Sequence, residues 1–234
     1  MATSGTYTAT QNVENIIVEA YERAGVDAQT LHAGHAITAR RSLQFMFSDW
    51  DNRGVKQWTI DEQSFTVTQS DPTYTLATGT LDVLDVVRRD ANDNDVPIAL
   101  MSRTEYSNLN NKSQEGTVDR ALVRRERDSV TMTLYYVPDN STDRIVYWRI
   151  RSLQDITSSG EDADAPRRWW DAIAAGLAER LHMKRPAAER DQNWSNVLTV
   201  LRAQAKDALF NAMTEDRERA DLGVYPSAWN APNG

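Results

Sequence analysis

The stretch TMTLYYVPDNSTDRIVYWRIRSL, residues 131–153, decides how the middle of the chain folds. Its two halves are rich in β-branched and aromatic residues, which favour β-strands. They are separated at residues 138–143 by PDNSTD, a cluster of residues that favour turns. The pattern predicts two strands joined as an antiparallel hairpin.

Three further strands are predicted before this hairpin. They share its enrichment in β-branched and aromatic residues and occupy residues 58–69, 73–79 and 83–89. Turn-forming clusters lie at residues 70–72 and 90–97, whereas residues 102–117, rich in Asn and Ser, indicate a loop or a short helix followed by a loop. Five short strands at this spacing predict an antiparallel sheet or a small barrel.

Apolar residues at helical spacing flank the strands on both sides. Before the strands, one helix is predicted up to Gly25 and a second up to Gly54. After the strands, a third helix begins near Asp164, and a fourth follows the interruption at Pro186 and runs to about Arg219. The buried positions predicted for the third helix are Trp170, Ile173, Ala174, Leu177 and Leu181.

These elements predict an α+β fold in which a β domain is inserted into a four-helix bundle. The bundle is formed by residues 11–55 and 164–219, and the inserted antiparallel β domain by residues 56–158. Residues 1–10 are small and rich in Thr, and we expect them to form a flexible arm. Residues 220–234 contain two prolines, and we expect an extended C-terminal tail.

The composition argues against several classes of protein. The 234 residues include 26 Lys and Arg against 34 Asp and Glu, a net charge of -8 at pH 7, which disfavours a free-standing nucleic-acid binder. There are no cysteines, which excludes disulfides, thiol catalysis and zinc sites built on thiolate. We find neither a signal peptide nor a membrane span, and expect a protein made and kept in the cytoplasm, or in a particle assembled there.

We find no motif for catalysis or for cofactor binding. His32 and His35 have the spacing at which two imidazoles can share a metal, but no HExxH motif is present, which favours a solvated helix start. Residues 90–95 resemble a calcium loop, but Asp95 stands where such a loop needs glycine, which favours a hairpin turn. We therefore expect no cofactor, no metal and no enzymatic activity. A small hydrolase that uses carboxylates stays open as an alternative.

Arginine is unusually frequent, since 22 of the 26 basic residues are Arg. Arginine pairs bidentately with carboxylates and is enriched at protein interfaces. Five arginines are candidates for a subunit interface: Arg40, Arg41, Arg124, Arg125 and Arg127. A salt-bridged surface, and a genome whose codons favour arginine, are the alternative explanations.

Four segments resemble, in the same order, the head-to-tail adaptor of short-tailed bacteriophages, also called tail tubular protein A. They are ARRSLQFMFSDWDNRGVKQWTID (39–61), PIALMSRTEYSNLNNKSQEG (97–116), TMTLYYVPDNSTDRIVYWRIRSLQDI (131–156) and DADAPRRWWDAIAAGLAERL (162–181). The resemblance extends from about Val13 to Arg219 and does not include the C-terminal end.

The resemblance implies a structural virion protein at the head-to-tail junction, assembled in the host cytoplasm and without membrane contact. Such a protein would form a ring of twelve copies under the portal protein and extend the channel through which double-stranded DNA passes without sequence-specific binding. The tail nozzle, a tail tubular protein B-like partner, and tail fibres would attach to it. A head-completion stopper and a tail terminator are alternative ring proteins.

The predicted tail carries two aromatic residues, Tyr225 and Trp229, beside Pro226. Aromatic side chains are costly to leave in water, and each can contribute about 2 kcal/mol when buried in a pocket of a partner. We therefore expect these residues to dock on the portal, with a frayed chain end as the alternative.

Overall fold

A computed structural model describes residues 5–6, 9–53 and 57–216, and the chain divides into two compact units. The helical unit comprises Met1–Ser42, Ser159–Asp162 and Pro166–Gly234. The β unit comprises Leu43–Ser158 and Ala163–Ala165. The chain is α+β, as predicted, and its two large sheets are built mainly from antiparallel pairs.

Five α-helices lie within the described residues. They are α1 (Val13–Arg23), α2 (Ala33–Asp51), α3 (Arg103–Ser107), α4 (Trp170–Met183) and α5 (Trp194–Glu215). Helix α1 begins where the Asn12 side chain accepts a hydrogen bond from the amide of Asn15. It ends before Gly25, whose φ of +79° lies in the left-handed region that glycine tolerates, as the sequence predicts.

Helix α4 is the centre of the helical unit, because it packs against both α1 and α5. Ile173 and Leu177 on α4 are completely buried, as predicted, and so is Val13 on α1. The sequence also predicts a bundle of four helices, whose fourth member would be α2. That helix passes from the helical unit into the β unit between Ser42 and Leu43, and the four-helix bundle stays a prediction.

The entry to α4 differs from the sequence prediction at one tryptophan. Trp169 is buried, whereas Trp170, the predicted core residue, is only partly buried. The reason is a 3-10 turn over Arg167–Trp169 that precedes α4 and changes the direction of these side chains. Asp164, the predicted N-cap, instead accepts hydrogen bonds within the β unit from Arg151.

Ten strands lie within the described residues of the β unit. They are β1 (Ile60–Thr66), β2 (Thr73–Thr75), β3 (Thr80–Arg89), β4 (Asp95–Pro97), β5 (Ala99–Leu100), β6 (Glu115–Gly116), β7 (Arg120–Arg125), β8 (Val130–Tyr135), β9 (Val137–Pro138) and β10 (Arg144–Arg151). One sheet has the order β1-β10-β3-β4 and a second has the order β2-β8-β7-β5. All pairs in these two sheets are antiparallel except β5 with β7. Apolar side chains of both sheets, including Met132 and Ile145, meet in one core.

The predicted hairpin over residues 131–153 is wrong. Strand β8 pairs with β2 and β7, whereas β10 belongs to the other sheet and pairs with β1 and β3. Between them, β9 pairs with β6, and the turn-forming residues carry the chain from one sheet to the other. All six residues of β8 are buried, which identifies it as an interior strand.

Strand β7 was not predicted, because its sequence RALVRR resembles a basic surface segment. It pairs with β8 along its whole length, and Ala121 and Leu122 are buried.

Residues 102–117 contain the short helix α3, which is capped reciprocally by Ser102 and Glu105.

Candidate interaction surfaces

Arg40 and Arg41, two of the predicted interface residues, lie on α2 in the helical unit. Arg40 is partly buried and Arg41 is exposed. Arg41 lies near Lys184 and Arg180 at the end of α4, and we call these three residues the basic cluster. Burial lowers the pKa of Lys184, and the charges of Arg41 and Arg180 lower it further. The ammonium group of Lys184 donates a hydrogen bond of 2.6 Å to the Ser42 hydroxyl.

The other three candidate arginines lie in the β unit, where β7 turns into β8. Arg124 is partly buried, and Arg125 forms an ion pair with Asp82. Arg127 is 93% exposed and lies 3.4 Å from its neighbour Asp128. The structure thus brings these three arginines together at one turn, and it places Arg40 and Arg41 in the other unit.

A recess of about 660 Å³ opens beside this turn. It is lined by residues 75–82 on one side and 125–130 on the other, together with Asp51 and Asn52. The Arg125–Asp82 ion pair crosses between the two segments. Among the described residues that line this recess there is no group of three or more potential metal ligands.

Buried Arg149 holds one wall of this recess. Its guanidinium donates to the carbonyl oxygens of Ala77 and Thr78 at 3.1 and 2.9 Å, and to the Thr80 hydroxyl at 3.0 Å. It also pairs bidentately with Asp61, at 2.7 and 3.1 Å. The hydrogen bond from Arg149 holds the pKa of Asp61 below its ordinary value. One side chain therefore fixes the turn that leads into β3.

The sheet that contains β10 has an exposed face that local sequence patterns did not indicate. Trp148, at the centre of this face, is 45% exposed, and its cross-strand partners are Glu62 on β1 and Asp85 on β3. Leu84, at an irregularity in β3, is exposed beside them. We call these four residues the acidic tryptophan face. The alternation along RIVYWRIR places Trp148 opposite the core residues, but its two acidic neighbours depend on strand order.

The carboxylates of the acidic tryptophan face form no ion pair within the described part of the chain. Neither Glu62 nor Asp85 makes a hydrogen bond or an ion pair with any residue that the structure describes. Arg89, further along β3, is held by two hydrogen bonds of 2.6 and 2.8 Å to Asp95. Arg89 also interacts electrostatically with Glu62. The face therefore combines an exposed indole with two carboxylates that form no hydrogen bond or ion pair with a described residue.

The three histidines lie in two separate places within the helical unit. His32 and His35 stack at 4.0 Å at the start of α2, where each accepts a hydrogen bond from a nearby backbone amide. His182 is buried, and its two ring nitrogens lie 3.2 and 3.1 Å from the carbonyl oxygens of Ala24 and Trp194. No group of three or more potential metal ligands occurs within residues 5–6, 9–53 and 57–216.

The acidic run at residues 90–95 forms a turn. Asp90 accepts hydrogen bonds from the amides of Asn92 and Asn94. The turn joins β3 to β4 as a hairpin, in which Arg89 lies opposite Asp95. The hairpin interpretation of this run is confirmed.

The predicted portal-docking residues Tyr225, Pro226 and Trp229 lie outside the described residues. The described chain ends with Asp216, whose buried carboxylate forms an ion pair with Arg168. This pair ties the C-terminal end of α5 to the turn before α4. In the described part of the chain, no helix has both the length and the apolar character that crossing a membrane requires.

The family model described as SU10 adaptor protein matches residues 22–233, which is nearly the whole chain. A search of curated proteins gives no match.

Proposed function

The chain belongs to the SU10 adaptor protein family, and from this membership we propose that it forms a ring at the head-to-tail junction of a phage. Membership of this family identifies the chain as a phage adaptor, a structural protein. The match over residues 22–233 is the observation that carries the proposal, because it includes residues of both units.

In the proposed assembly, twelve copies lie under the portal protein and extend its DNA channel. The tail nozzle, a tail tubular protein B-like protein, and tail fibres attach to this ring. The net charge of -8 supports a channel protein, because like charge removes the attraction that would hold phosphates. This specific arrangement follows the tail tubular protein A-like resemblance of the four segments in the sequence.

The candidate interface arginines support assembly into a ring. In a ring, every subunit has two different lateral surfaces that meet head to tail. The exposed arginines Arg41 and Arg127 are suited to such surfaces because a guanidinium loses hydration more readily than an ammonium. A structural role, without catalysis and without a cofactor, is part of the proposal.

The decisive experiment is negative-stain imaging of the purified chain with and without its portal protein. We expect rings attached to the portal, and a free chain that is largely monomeric by light scattering. Stable rings without portal would change the order of assembly but not the role. A chain that stays monomeric and fails to bind portal would contradict the proposed function.

The C-terminal tail is tested by truncation after Asp221. We propose that Tyr225, Pro226 and Trp229 dock on the portal, so truncation should abolish portal binding and leave the melting temperature of the chain nearly unchanged. The double variant Tyr225→Ala with Trp229→Ala is the matched full-length control and should behave in the same way. Unimpaired portal binding by either variant would contradict docking through the tail.

A further inference from the structure

The acidic tryptophan face has the chemistry of a binding surface for a cationic protein segment. A guanidinium stacks favourably on an indole, and unpaired carboxylates beside the indole accept its hydrogen bonds. Glu62 and Asp85 flank Trp148 on both neighbouring strands, so a cation above the ring would meet a carboxylate on either side. DNA is excluded as an occupant because its phosphates would be repelled by these two charges.

The chain itself carries a surface of the complementary kind. Most arginines in the described residues pair with a carboxylate of the same chain, as Arg88 does with Asp143 at 2.9 Å. Arg41 is exposed and makes no hydrogen bond or ion pair with any described residue. Its neighbour Lys184 donates to a hydroxyl, not to a carboxylate. The depressed pKa of Lys184 has burial as its first cause and the nearby cations as the second.

We propose that the acidic tryptophan face of one copy binds the basic cluster of a second copy, with Arg41 stacked on Trp148. The proposal rests on the proposed ring function and names the surfaces that would join adjacent subunits. Because the two surfaces are different, the contact is heterologous, and its repetition closes a ring or extends a filament. It also gives the unpaired carboxylates and the unpaired Arg41 a common purpose.

Charge reversal tests the contact between copies. The variant Glu62→Arg with Asp85→Arg and the variant Arg41→Glu should each lose ring formation on the portal, because each places like charges across the contact. An equal mixture of the two variants should recover rings, since each reversed surface then faces its complement. Arg103→Glu, which reverses an exposed arginine on α3, is the matched control and should assemble normally.

Cysteine crosslinking tests the same contact directly, because the chain has no cysteine of its own. A chain carrying Glu62→Cys and Arg41→Cys should give a ladder of crosslinked oligomers with a short bismaleimide in portal-bound assemblies. Each single-cysteine chain can link at most two copies. A ladder from the double variant supports the proposal, and its absence from intact rings overturns it.

The outcomes separate this inference from the proposed function. Rings unaffected by all the reversals would overturn the inference and leave the ring function standing. If Arg127→Glu abolished rings and Arg41→Glu did not, the residue that contacts the neighbouring copy would be Arg127, at the turn between β7 and β8. This result would also overturn the inference. A wild-type chain that never forms rings would remove both proposals. The wild-type chain could instead bind duplex DNA, with Arg41→Glu abolishing this binding and still forming rings. That result would show that the basic cluster binds phosphates and not a second copy.

Discussion

The helical unit and the β unit satisfy their buried polar groups in different ways. A helix satisfies most backbone groups internally, so α4 can be buried mainly through apolar residues such as Ile173 and Leu177. The turn before β3 has carbonyl oxygens with no strand partner, and buried Arg149 donates to those of Ala77 and Thr78, of which Ala77 also accepts from the amide and hydroxyl of Thr80. In this chain, α4 is buried mainly by apolar packing, whereas the turn before β3 is held by a charged side chain.

The largest effect is expected from a cavity in the helical unit. Leu177→Ala should lower the free energy of unfolding by about 3 kcal/mol, because it removes a fully buried side chain from α4. Val200→Ala on α5, where the side chain is 55% exposed, is the control and should cost less than about 0.5 kcal/mol. Hydrogen exchange should rise in α1, α4 and α5 peptides. An equal rise in every peptide of the β unit would show that the units unfold together.

Replacement of the buried arginine should give the next largest decrease in the free energy of unfolding, and it should destabilise the β unit. Arg149→Met keeps most of the side-chain volume but removes the guanidinium hydrogen bonds to Ala77 and Thr78 and the ion pair with Asp61. We expect a loss of about 2 kcal/mol, below that of a fully buried pair because Asp61 is partly exposed.

Hydrogen exchange of peptides covering residues 76–82 measures this change. Arg127→Met, at an arginine that is 93% exposed, is the control and should leave their exchange unchanged. If Arg149→Met also leaves these amides protected, the turn does not depend on the arginine, and the contrast between the units fails.

Replacement of the buried histidine of the helical unit should give a smaller decrease in the free energy of unfolding. His182→Leu introduces an apolar side chain of similar size. It removes the hydrogen-bond donor that lies between the carbonyl oxygens of Ala24 and Trp194. We expect a cost of about 1.5 kcal/mol in urea unfolding followed by circular dichroism. His32→Leu, at the exposed start of α2, is the control. A neutral His182→Leu would show that the helical unit depends on apolar packing alone.

The smallest effect is expected to be a decrease in the stability of the β unit at acidic pH. The folded-state pKa of Asp61 lies below its ordinary value of 3.8, so its pairing stabilises the fold above about pH 4. This contribution is lost as the pH falls through the folded-state pKa. Melting temperatures measured from pH 6 to pH 3 should therefore fall less for Asp61→Asn than for the wild-type chain. Parallel curves for the two proteins would contradict a role for this carboxylate.

Local sequence patterns predicted the helices better than the sheets. The stop at Gly25 and the buried positions Ile173 and Leu177 follow from residue spacing within one helix. The supposed hairpin over residues 131–153 failed because strand pairing joins residues far apart in the chain, and a turn-forming sequence can also link two sheets. Strand β7 was missed because its three arginines mask two buried apolar residues.

The candidate interface was predicted only in part. Arginine frequency indicated Arg41 and Arg127, which are exposed in the structure. Composition could not indicate Trp148 as a surface residue, because most tryptophans are expected in a core. Its acidic neighbours Glu62 and Asp85 lie 86 and 63 positions away in the sequence, and only the order of β1, β10 and β3 brings them beside it.

The α+β class, the helical stops and the lack of cysteine chemistry could be predicted from residue type and local spacing alone. Tertiary structure decided which strands share a sheet, which tryptophan is buried before α4, and which charges remain unpaired. A strand makes its ladder hydrogen bonds with other strands, and a surface charge often finds its partner, in distant parts of the chain, so neither can be read from a local pattern. The spacing of apolar residues predicts which face of a helix or strand is apolar. Tertiary packing determines which other element covers that face.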